Sequence, residues 1–436
     1  MAPTSHSIQS FPSRAVEANG GPRYRALLYS HDGYGLGHLR RNLVLARAIR
    51  RFRSDCSVRI LTGSPRALSF DAPPGVEIIK LPPVTKDENG QYVSRSPEIP
   101  IEATMRLRKK LVRQAVLEYR PHLLISDHVP TGLRGELLPL LGDLRWRGET
   151  ILVAGLRDIL DDPPKVIASW TQGGVYSLLD SIYHEVWVYG SREIYPIHSE
   201  YRMPSSLAQR VRYLGYLGRQ PISREPDAPS ITSGFQHPSR PHLLCVVGGG
   251  EDGFPLARTF LSMLARTPDR WNATLVTGPF LPRHERHLLN ARCSALPNAQ
   301  ILRFTLDLER LLAESDALIT MGGYNSLVEA VSYGLRVLVI PRIRPRREQW
   351  VRALTFQKMG LVHMLEPDNL QPGTLAEATE SLLGGSPPRT PEDLGVSWDG
   401  ARNFAREISQ LLQMGRWSDL EIGPRRGSIL SAASHS

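Results

Sequence analysis

The sequence contains few cysteines and no long apolar run. Its 436 residues include Cys56, Cys245 and Cys293, and no pair of them has the spacing of a metal-binding or redox motif. We interpret all three as reduced core residues of a cytoplasmic protein. No stretch approaches the roughly 20 apolar residues of a membrane-spanning helix, and residues 1–22 lack the apolar segment of a signal peptide. These absences argue against an integral membrane protein and against secretion.

Acidic residues are the minority among the charged residues. The chain has 53 lysines and arginines against 43 aspartates and glutamates, which gives a formal net charge of +10. Such an excess of positive charge favours binding to nucleic acid, to an anionic membrane surface or to a polyanionic small substrate. Since there is no zinc-finger spacing, no RRM-type aromatic motif and no contiguous basic arm, we expect no nucleic-acid partner. The sequence also lacks an Asp-x-Asp motif, so we expect neither a metal nor a cofactor.

The length and the pattern of hydrophobic residues indicate two α/β domains. A chain of 436 residues exceeds what one compact core holds, and 41% of its residues are hydrophobic. Short β-rich runs alternate with amphipathic helical stretches in both halves, which is typical of mostly parallel sheets covered by helices. We predict a disordered tail over residues 1–22, a first domain over 23–218, a linker over 219–241, a second domain over 242–400, a closing helix over 401–415 and a second disordered tail over 416–436.

Thirteen segments have the length and composition of strands. The polar segment 85–100 is interpreted instead as a loop, either a flexible one at the mouth of a cleft or a plain surface loop. The predicted strands are 25–30, 58–62, 76–81, 122–126, 151–154, 185–189, 212–214, 242–247, 273–277, 300–304, 317–320, 336–340 and 362–365.

A glycine-rich loop follows the first predicted strand. In ALLYSHDGYGLGHLRRNLVLARAI, Gly33, Gly35 and Gly37 separate a buried strand from a helix. Glycines let the backbone approach a ligand closely, and the amides at the start of the helix favour an anion. The spacing differs from GxGxxG and no acidic residue ends the second strand, so NAD binding is not favoured. His38, at the start of the helix, is a candidate general base or a cap of the helix.

Two further predicted strands are followed by residues that can contact a ligand in a crevice between the domains. Asp127 and His128 follow an apolar strand of the first domain, and either is a candidate base or acceptor contact. The opening strand of the second domain ends in Gly248, Gly249 and Gly250. Their amides can close over phosphates, although a tight turn alone would also explain them.

The segment SDALITMGGYNSLVEAVSYGLRVLVIPRIRPRREQWVRA is the most informative in the chain. Gly322 and Gly323 turn the backbone after a strand, and Asn325 or Ser326 begins a helix. Amides at the start of that helix suit a diphosphate. One turn further along, Glu329 can accept hydrogen bonds from two vicinal ribose hydroxyls, or it caps the helix.

Four arginines follow the next predicted strand. They are Arg342, Arg344, Arg346 and Arg347, with Glu348 as the nearby acidic residue. Such a loop can neutralise a diphosphate leaving group, bind an anionic lipid acceptor or form a solvated face.

These motifs together resemble the GT-B glycosyltransferases, particularly the peptidoglycan N-acetylglucosaminyltransferase-like group with its GT28-type C-terminal domain and a branch called predicted glycosyl transferases. The resemblance extends over nearly the whole chain. It rests on GYGLGHLRRNLVLA, VAGLRDILDDP, YLGYLGR, GGYNSLVEA and IPRIRPRREQWVRA.

The resemblance implies an α/β protein of the GT-B fold, with two Rossmann-like, doubly wound parallel-sheet domains facing across a cleft. It implies that Ser326 contacts the diphosphate, Glu329 the ribose and Gln349 the hydroxyls of the donor sugar, and that backbone around Phe304 and Thr305 reads the base edge. The remaining candidate nucleotide-sugar contacts are Gly35, Gly37, Gly248, Gly249, Gly322, Gly323, Asn325 and Arg347, with His38 and Asp127 as the candidate catalytic residues.

The first loop also resembles the GxGHxxR motif of UDP-sugar hydrolases in nonulosonate synthesis, through Gly35, Gly37, His38 and Arg41. We therefore expect a metal-independent, inverting glycosyltransferase with a UDP-sugar donor. A UDP-sugar hydrolase, an epimerase on the same fold and a non-catalytic nucleotide-sugar or polyanion-binding protein remain alternatives. The expected acceptor is lipid-linked or a glycan, and the expected location is the cytoplasm, with peripheral contact at an anionic inner membrane face.

Overall fold

The computed structural model describes residues 22–31, 37–87, 91–218 and 234–413. Residues 1–21 of the predicted first tail, 219–233 of the predicted linker and 414–436 at the other end lie outside the described residues. Gly33 and Gly35 of the first glycine-rich loop also lie outside them.

A seven-stranded parallel sheet forms the first half of the chain. Seven strands follow the order β3-β2-β1-β6-β7-β8-β9, while β4 and β5 form an antiparallel hairpin. The order reverses between β1 and β6, which pair with each other in parallel. The strands are β1 (Tyr24–Ser30), β2 (Cys56–Thr62), β3 (Val76–Lys80), β4 (Val84–Lys86), β5 (Tyr92–Ser94), β6 (Leu123–Asp127), β7 (Ile151–Arg157), β8 (Glu185–Tyr189) and β9 (Val211–Tyr213).

A second parallel sheet has the same winding. Its order is β12-β11-β10-β13-β14-β15, so the reversal falls between β10 and β13. The strands are β10 (His242–Val246), β11 (Asn272–Val276), β12 (Ala299–Leu302), β13 (Ala317–Thr320), β14 (Arg336–Val339) and β15 (His363–Met364). Every residue of β10 and β13 is buried, as expected for strands covered on both faces.

Helices connect the parallel strands. In the first of them the apolar residues Leu39, Leu43, Ala46 and Ile49 recur at helical spacing and are buried, which explains why this stretch forms a helix. The helices are α1 (Gly37–Phe52), α2 (Ile101–Tyr119), α3 (Leu138–Arg147), α4 (Pro163–Gln172), α5 (Val175–Ser181), α6 (Ile197–Glu200), α7 (Ser205–Ala208), α8 (Phe254–Arg266), α9 (Arg283–Cys293), α10 (Leu308–Ala313), α11 (Tyr324–Ser332), α12 (Glu348–Lys358), α13 (Pro372–Gly384) and α14 (Gly400–Gln413).

The last helix returns to the first half of the molecule. Phe404 of α14 is fully buried and its ring meets that of Trp187 in β8 edge-on, with centroids 5.5 Å apart. Just before α14, the rings of Trp398 and Tyr216 stack at 4.2 Å. Trp398 and α14 thus pack against the first half of the molecule.

A buried ion pair also joins the two halves. Arg352 of α12 donates to Asp158, which follows β7, with Nη2 2.8 Å from Oδ1, and neither side chain is exposed. Arg352 Nη1 donates to the carbonyl of Gly322 at 3.2 Å. Because an unpaired buried charge is costly, this contact fixes α12 against the first sheet.

Each of the thirteen predicted strands overlaps a strand of the structure, and the three cysteines are buried. The interpretation of 85–100 as a loop was wrong in part, because the segment contains the last two residues of β4 and the whole of β5. Strands of three residues are too short to show alternation in the sequence. No helix among the described residues is both long and apolar enough to cross a bilayer.

Candidate functional site

A cleft lies where the reversal points of the two sheets face each other. Ser30 pairs with Asp127 at the carboxyl ends of β1 and β6, and Val246 pairs with Thr320 at the ends of β10 and β13. Ligands of doubly wound folds bind at such points. The cleft encloses about 220 Å³ and receives side chains from both halves.

Most of the predicted nucleotide-sugar residues line this cleft. Asp127, Gly322, Glu329 and Arg347 do not line it directly, and Gly35 lies outside the described residues. The predicted residues that do line it are Gly37, His38, Gly248, Gly249, Phe304, Thr305, Gly323, Asn325, Ser326 and Gln349.

The start of α11 faces the start of α1 across the cleft. Gly322 adopts φ +79°, and a β-carbon there would lie 2.8 Å from Val339 Cγ1, so the turn requires glycine. The side-chain amide of Asn325 donates to the carbonyl of Gly37 at 3.1 Å. The backbone amides of the first turn of α11 therefore open toward the same space as His38.

His38 is supported from behind by a buried carboxylate. Its Nδ1 lies 3.0 Å from Asp127 Oδ2, and Arg41 donates to both oxygens of Asp127 at 3.0 and 2.7 Å. Burial would raise the pKa of Asp127, but the guanidinium of Arg41 and the hydrogen bond from His38 outweigh it and lower that pKa to about 2. Asp127 is fully buried, so it acts on the cleft through His38.

The tautomer of His38 decides what its other nitrogen can do. Nδ1 also lies 2.8 Å from Arg41 Nη2, a group that only donates, whereas ionised Asp127 only accepts. If the proton is on Nδ1, His38 donates it to Asp127 and Nε2 keeps a lone pair. If the proton is on Nε2, Nδ1 accepts a hydrogen bond from Arg41 instead.

Glu329 is held by the opposite half of the molecule. Arg40 of α1 places Nη2 3.0 and 3.1 Å from the two carboxylate oxygens of Glu329. The predicted ribose contact is therefore buried at the edge of the cleft beside an arginine that lines it.

Comparison with known proteins agrees with this geometry. Residues 243–408 match the model of the glycosyltransferase family 28 C-terminal domain. Over 90% of this chain and 100% of the other, the structure is similar to the glycotransferase of kitacinnamycin, with a TM-score of 0.60 and 16% sequence identity. The chain has the GT-B fold with a family 28 C-terminal domain. The expected fold is thus confirmed.

Two curated relatives share parts of the sequence. An uncharacterized glycosyltransferase of Methanosarcina mazei is 32% identical over 127 residues, which are 29% of this chain and 31% of that protein. The UDP-N-acetylglucosamine--N-acetylmuramyl-(pentapeptide) pyrophosphoryl-undecaprenol N-acetylglucosamine transferase of Shouchella clausii is 35% identical over 81 residues, which are 18% of this chain and 23% of that protein. The alignments cover less than a third of either relative.

Two more histidines surround His38 at the GT-B cleft. The rings of His31 and His128 lie 4.9 and 5.3 Å from the ring of His38. Burial lowers the pKa of both flanking histidines well below the ordinary value, so they are neutral at neutral pH. Within the described ranges, no three His, Cys, Asp or Glu side chains are grouped to hold a metal ion.

A chain of ion pairs crosses the cleft of the GT-B fold. Arg157 donates to Glu348 at 2.7 Å and lies 3.1 Å from His128 Nε2. Arg342 contacts the other oxygen of Glu348 at 3.3 Å and Asp252 at 2.9 Å. Burial would raise the pKa of Glu348, but Arg157 and other nearby arginines lower it to about 2. Sequence reasoning treated these residues as separate loops and missed their connection.

The four arginines of the predicted loop have different surroundings in the structure. Arg342 lines the cleft, whereas Arg347 lies 3.5 Å from Asp162 and its guanidinium stacks over the ring of Trp350 at 4.2 Å. Arg344 and Arg346 are exposed. Of the four arginines, Arg342 is therefore the one that lines the cleft.

Glu251 is a cleft residue that sequence reasoning missed. It follows Gly250, lines the cleft and lies 3.7 Å from Arg95, which comes just after β5 of the first half. Burial raises the pKa of Glu251 to about 7. The signal available in the sequence was the acidic pair Glu251 and Asp252 directly after three glycines.

Proposed function

We propose that the protein transfers a sugar from a UDP-sugar to an acceptor hydroxyl, without a metal ion and with inversion at the anomeric carbon. The observation that carries this proposal is the placement of the amide-rich start of α11 opposite His38 in one cleft. A diphosphate at the helix start would put the reacting sugar between the two halves.

The second half supplies groups suited to the diphosphate. Gly248 and Gly249 line the cleft together with Gly323 and Ser326, so backbone amides come from two loops. Arg342 and Arg157 lie nearby and can stabilise the charge that develops on the departing phosphate. The relative from Shouchella clausii is named for UDP-N-acetylglucosamine, which supports uracil as the base of the donor.

The first half supplies the proposed base. With its proton on Nδ1 and donated to Asp127, His38 has a lone pair on Nε2 that can accept the proton of the acceptor hydroxyl. The oxygen then bonds to the anomeric carbon from the face opposite the diphosphate. The carbon–oxygen bond to the diphosphate breaks, and the diphosphate leaves with the electron pair.

A lipid-linked or glycan acceptor completes the proposal, with peripheral contact at an anionic membrane on the cytoplasmic side. The supporting observation is on α3, where Trp146 is 88% and Leu138 39% exposed. The basic residues Lys109 and Lys110 of α2 and Arg147 of α3 are also exposed. Exposed aromatic and basic groups suit the surface of an anionic bilayer.

The test begins with a thermal shift against UDP, ADP and GDP, since a ligand at 100 times its Kd stabilises the fold by roughly 2.7 kcal/mol. UDP release from UDP-sugars is then followed with and without acceptors, and binding to anionic vesicles is measured by sedimentation. Failure of every nucleotide to bind would overturn the proposal.

A hydrolase is the second candidate, because His38 and Arg41 of the GxGHxxR motif meet on the same carboxylate, Asp127. Release of UDP without an acceptor, at a rate that acceptors leave unchanged, would favour it. Conversion of the donor to an isomeric UDP-sugar would indicate an epimerase instead, and binding without turnover a non-catalytic protein.

A further inference from the structure

Glu251 presents to the cleft a carboxyl group that can bind a ligand. The residue lines the cleft, and its side chain is 17% exposed. Among the described residues its ion-pair partner is Arg95, with Nη2 3.7 Å from Oε1. That separation is longer than a hydrogen bond, so both carboxylate oxygens can still accept one from a ligand.

The loop that carries Glu251 is packed tightly against the next loop of the second half. Gly250 adopts φ +97°, and a β-carbon there would collide with the carbonyl oxygen of Thr277, so the turn requires glycine. The backbone amide of Phe280 donates to the carbonyl of Gly249 at 2.9 Å. These contacts hold the backbone at Glu251 in place.

Arg95 brings the first half of the molecule to the same place. It follows β5, and its guanidinium lies over the ring of Phe280, 5.3 Å from the centroid. Arg95 therefore contacts the second half through both Glu251 and Phe280. Glu251 accordingly lies where the two halves meet.

The charges around Glu251 determine which ligand chemistry it fits. Asp252, the next residue, already binds Arg342 at 2.9 Å. Burial raises the pKa of Glu251 to about 7, so at neutral pH its carboxyl group is present in both the protonated and the ionised form. A sugar hydroxyl can hydrogen-bond with either form. An ionised phosphate can only accept and is repelled by the ionised carboxylate, so a hydroxyl group is the better partner.

The proposed diphosphate site includes Gly249, two residues before Glu251. A sugar bonded to that diphosphate extends into the space between the halves. We propose that Glu251 binds hydroxyl groups of the transferred sugar, and that Arg95 is a positioning residue that holds its carboxyl group from the opposite half. This inference rests on the proposed function, because it takes the ligand to be a nucleoside diphosphate sugar.

The test compares the binding of UDP with that of UDP-glucose, UDP-galactose and UDP-N-acetylglucosamine by calorimetry. Glu251→Ala should weaken the binding of at least one UDP-sugar about tenfold, the loss expected for one hydrogen bond to a charged group. The same variant should weaken UDP binding less than twofold, because UDP has no transferred sugar. Should Glu251→Ala fail to fold, Glu251→Met fills the same space without a polar group and gives the same comparison.

A matched control and a double-mutant cycle distinguish this role from a general one. Glu377→Ala removes an exposed carboxylate of the second half and should leave every affinity unchanged. Arg95→Ala should weaken the same UDP-sugar by a smaller factor, because the carboxyl group remains but is held less firmly. Adding Arg95→Ala to Glu251→Ala should cost little more than Glu251→Ala alone. Additive losses would overturn the role of Arg95.

The outcomes separate this inference from the proposed function. If the wild-type protein binds neither UDP nor a UDP-sugar, the proposed function fails. If it binds UDP, and Glu251→Ala weakens UDP and the UDP-sugars equally or weakens none of them, the proposed function stands and the role of Glu251 is overturned. A raised KM for the acceptor with unchanged donor binding would also overturn it, since Glu251 would then contact the acceptor.

Discussion

The two walls of the cleft differ in the chemical groups that form them. The wall from the first half consists of charged and titratable side chains that neutralise one another, with His38, Asp127 and Arg41 at its centre. The wall from the second half combines backbone, with glycines after β10 and β13 and the start of α11, with a few charged side chains such as Arg342 and Glu348. Backbone amides hold an anion without carrying a charge that must first be desolvated. The proposed base, His38, lies in the first wall.

This difference predicts which wall is more sensitive to substitution. Removing one member of a buried ion pair leaves an uncompensated charge, whereas altering a backbone turn costs only local strain. Substitutions in the two walls should therefore differ in how far they lower the free energy of unfolding. Exceptions should identify residues that contribute to both walls.

The largest effect is expected at Asp127. Asp127→Ala leaves Arg41 buried without its carboxylate, so the free energy of unfolding should fall by about 3–5 kcal/mol. Urea denaturation measures this loss. The control is Asp143→Ala, which breaks the exposed pair with Arg113 and should cost less than about 1 kcal/mol. Equal losses in the two variants would show that the buried pair contributes no more to stability than an exposed one.

Glu251 is a titratable side chain of the second wall, and it directly follows three glycines. Its pKa of about 7 in the folded protein lies above the ordinary value of 4.5, so the folded state holds this proton more tightly than the unfolded chain. The stability that this proton confers is complete below about pH 4.5 and is lost as the pH rises through 7.

Glu251→Gln should remove that decline. Between pH 4.5 and 8 the wild-type protein should lose roughly 2–3 kcal/mol that the variant keeps, as a shift of this size implies. Urea denaturation at both pH values measures the difference, and the exposed Glu98→Gln is the control. A variant with the same pH slope as the wild-type protein would show that Glu251 is paired and ionised throughout.

The strands and the glycine turns could be predicted because their signals are local. Apolar runs such as Leu243 to Val247 and the segment around Gly322 are contiguous in the sequence, and each specifies its own conformation. The family resemblance added the predicted donor contacts of Ser326 and Gln349; both residues line the cleft, and the contacts stay a prediction.

The partners of the charged residues could not be predicted in the same way. Arg352 and Asp158 are 194 positions apart, and Arg40 and Glu329 are 289 apart. Such pairs depend on how the two sheets are oriented, which no local pattern encodes. Asp127 was predicted as a base because its position at the end of an apolar run was visible in the sequence, while its burial behind His38 was not.

A smaller effect is expected in the turn between β13 and α11, at Gly322. Alanine there must adopt φ +79° and would bring its β-carbon 2.8 Å from Val339 Cγ1, so Gly322→Ala should cost roughly 1–2 kcal/mol of stability. It should also weaken UDP binding, because the amides at the start of α11 shift with the turn.

The neighbouring glycine offers a matched control. Gly323 has φ −59°, and a β-carbon there meets nothing within 4 Å. Gly323→Ala should therefore change the free energy of unfolding by less than about 0.5 kcal/mol. Since Gly323 lines the cleft, its added methyl group instead tests how closely a ligand approaches the backbone. Loss of UDP binding with unchanged stability would place the diphosphate against this residue, while unchanged binding would place it further along α11.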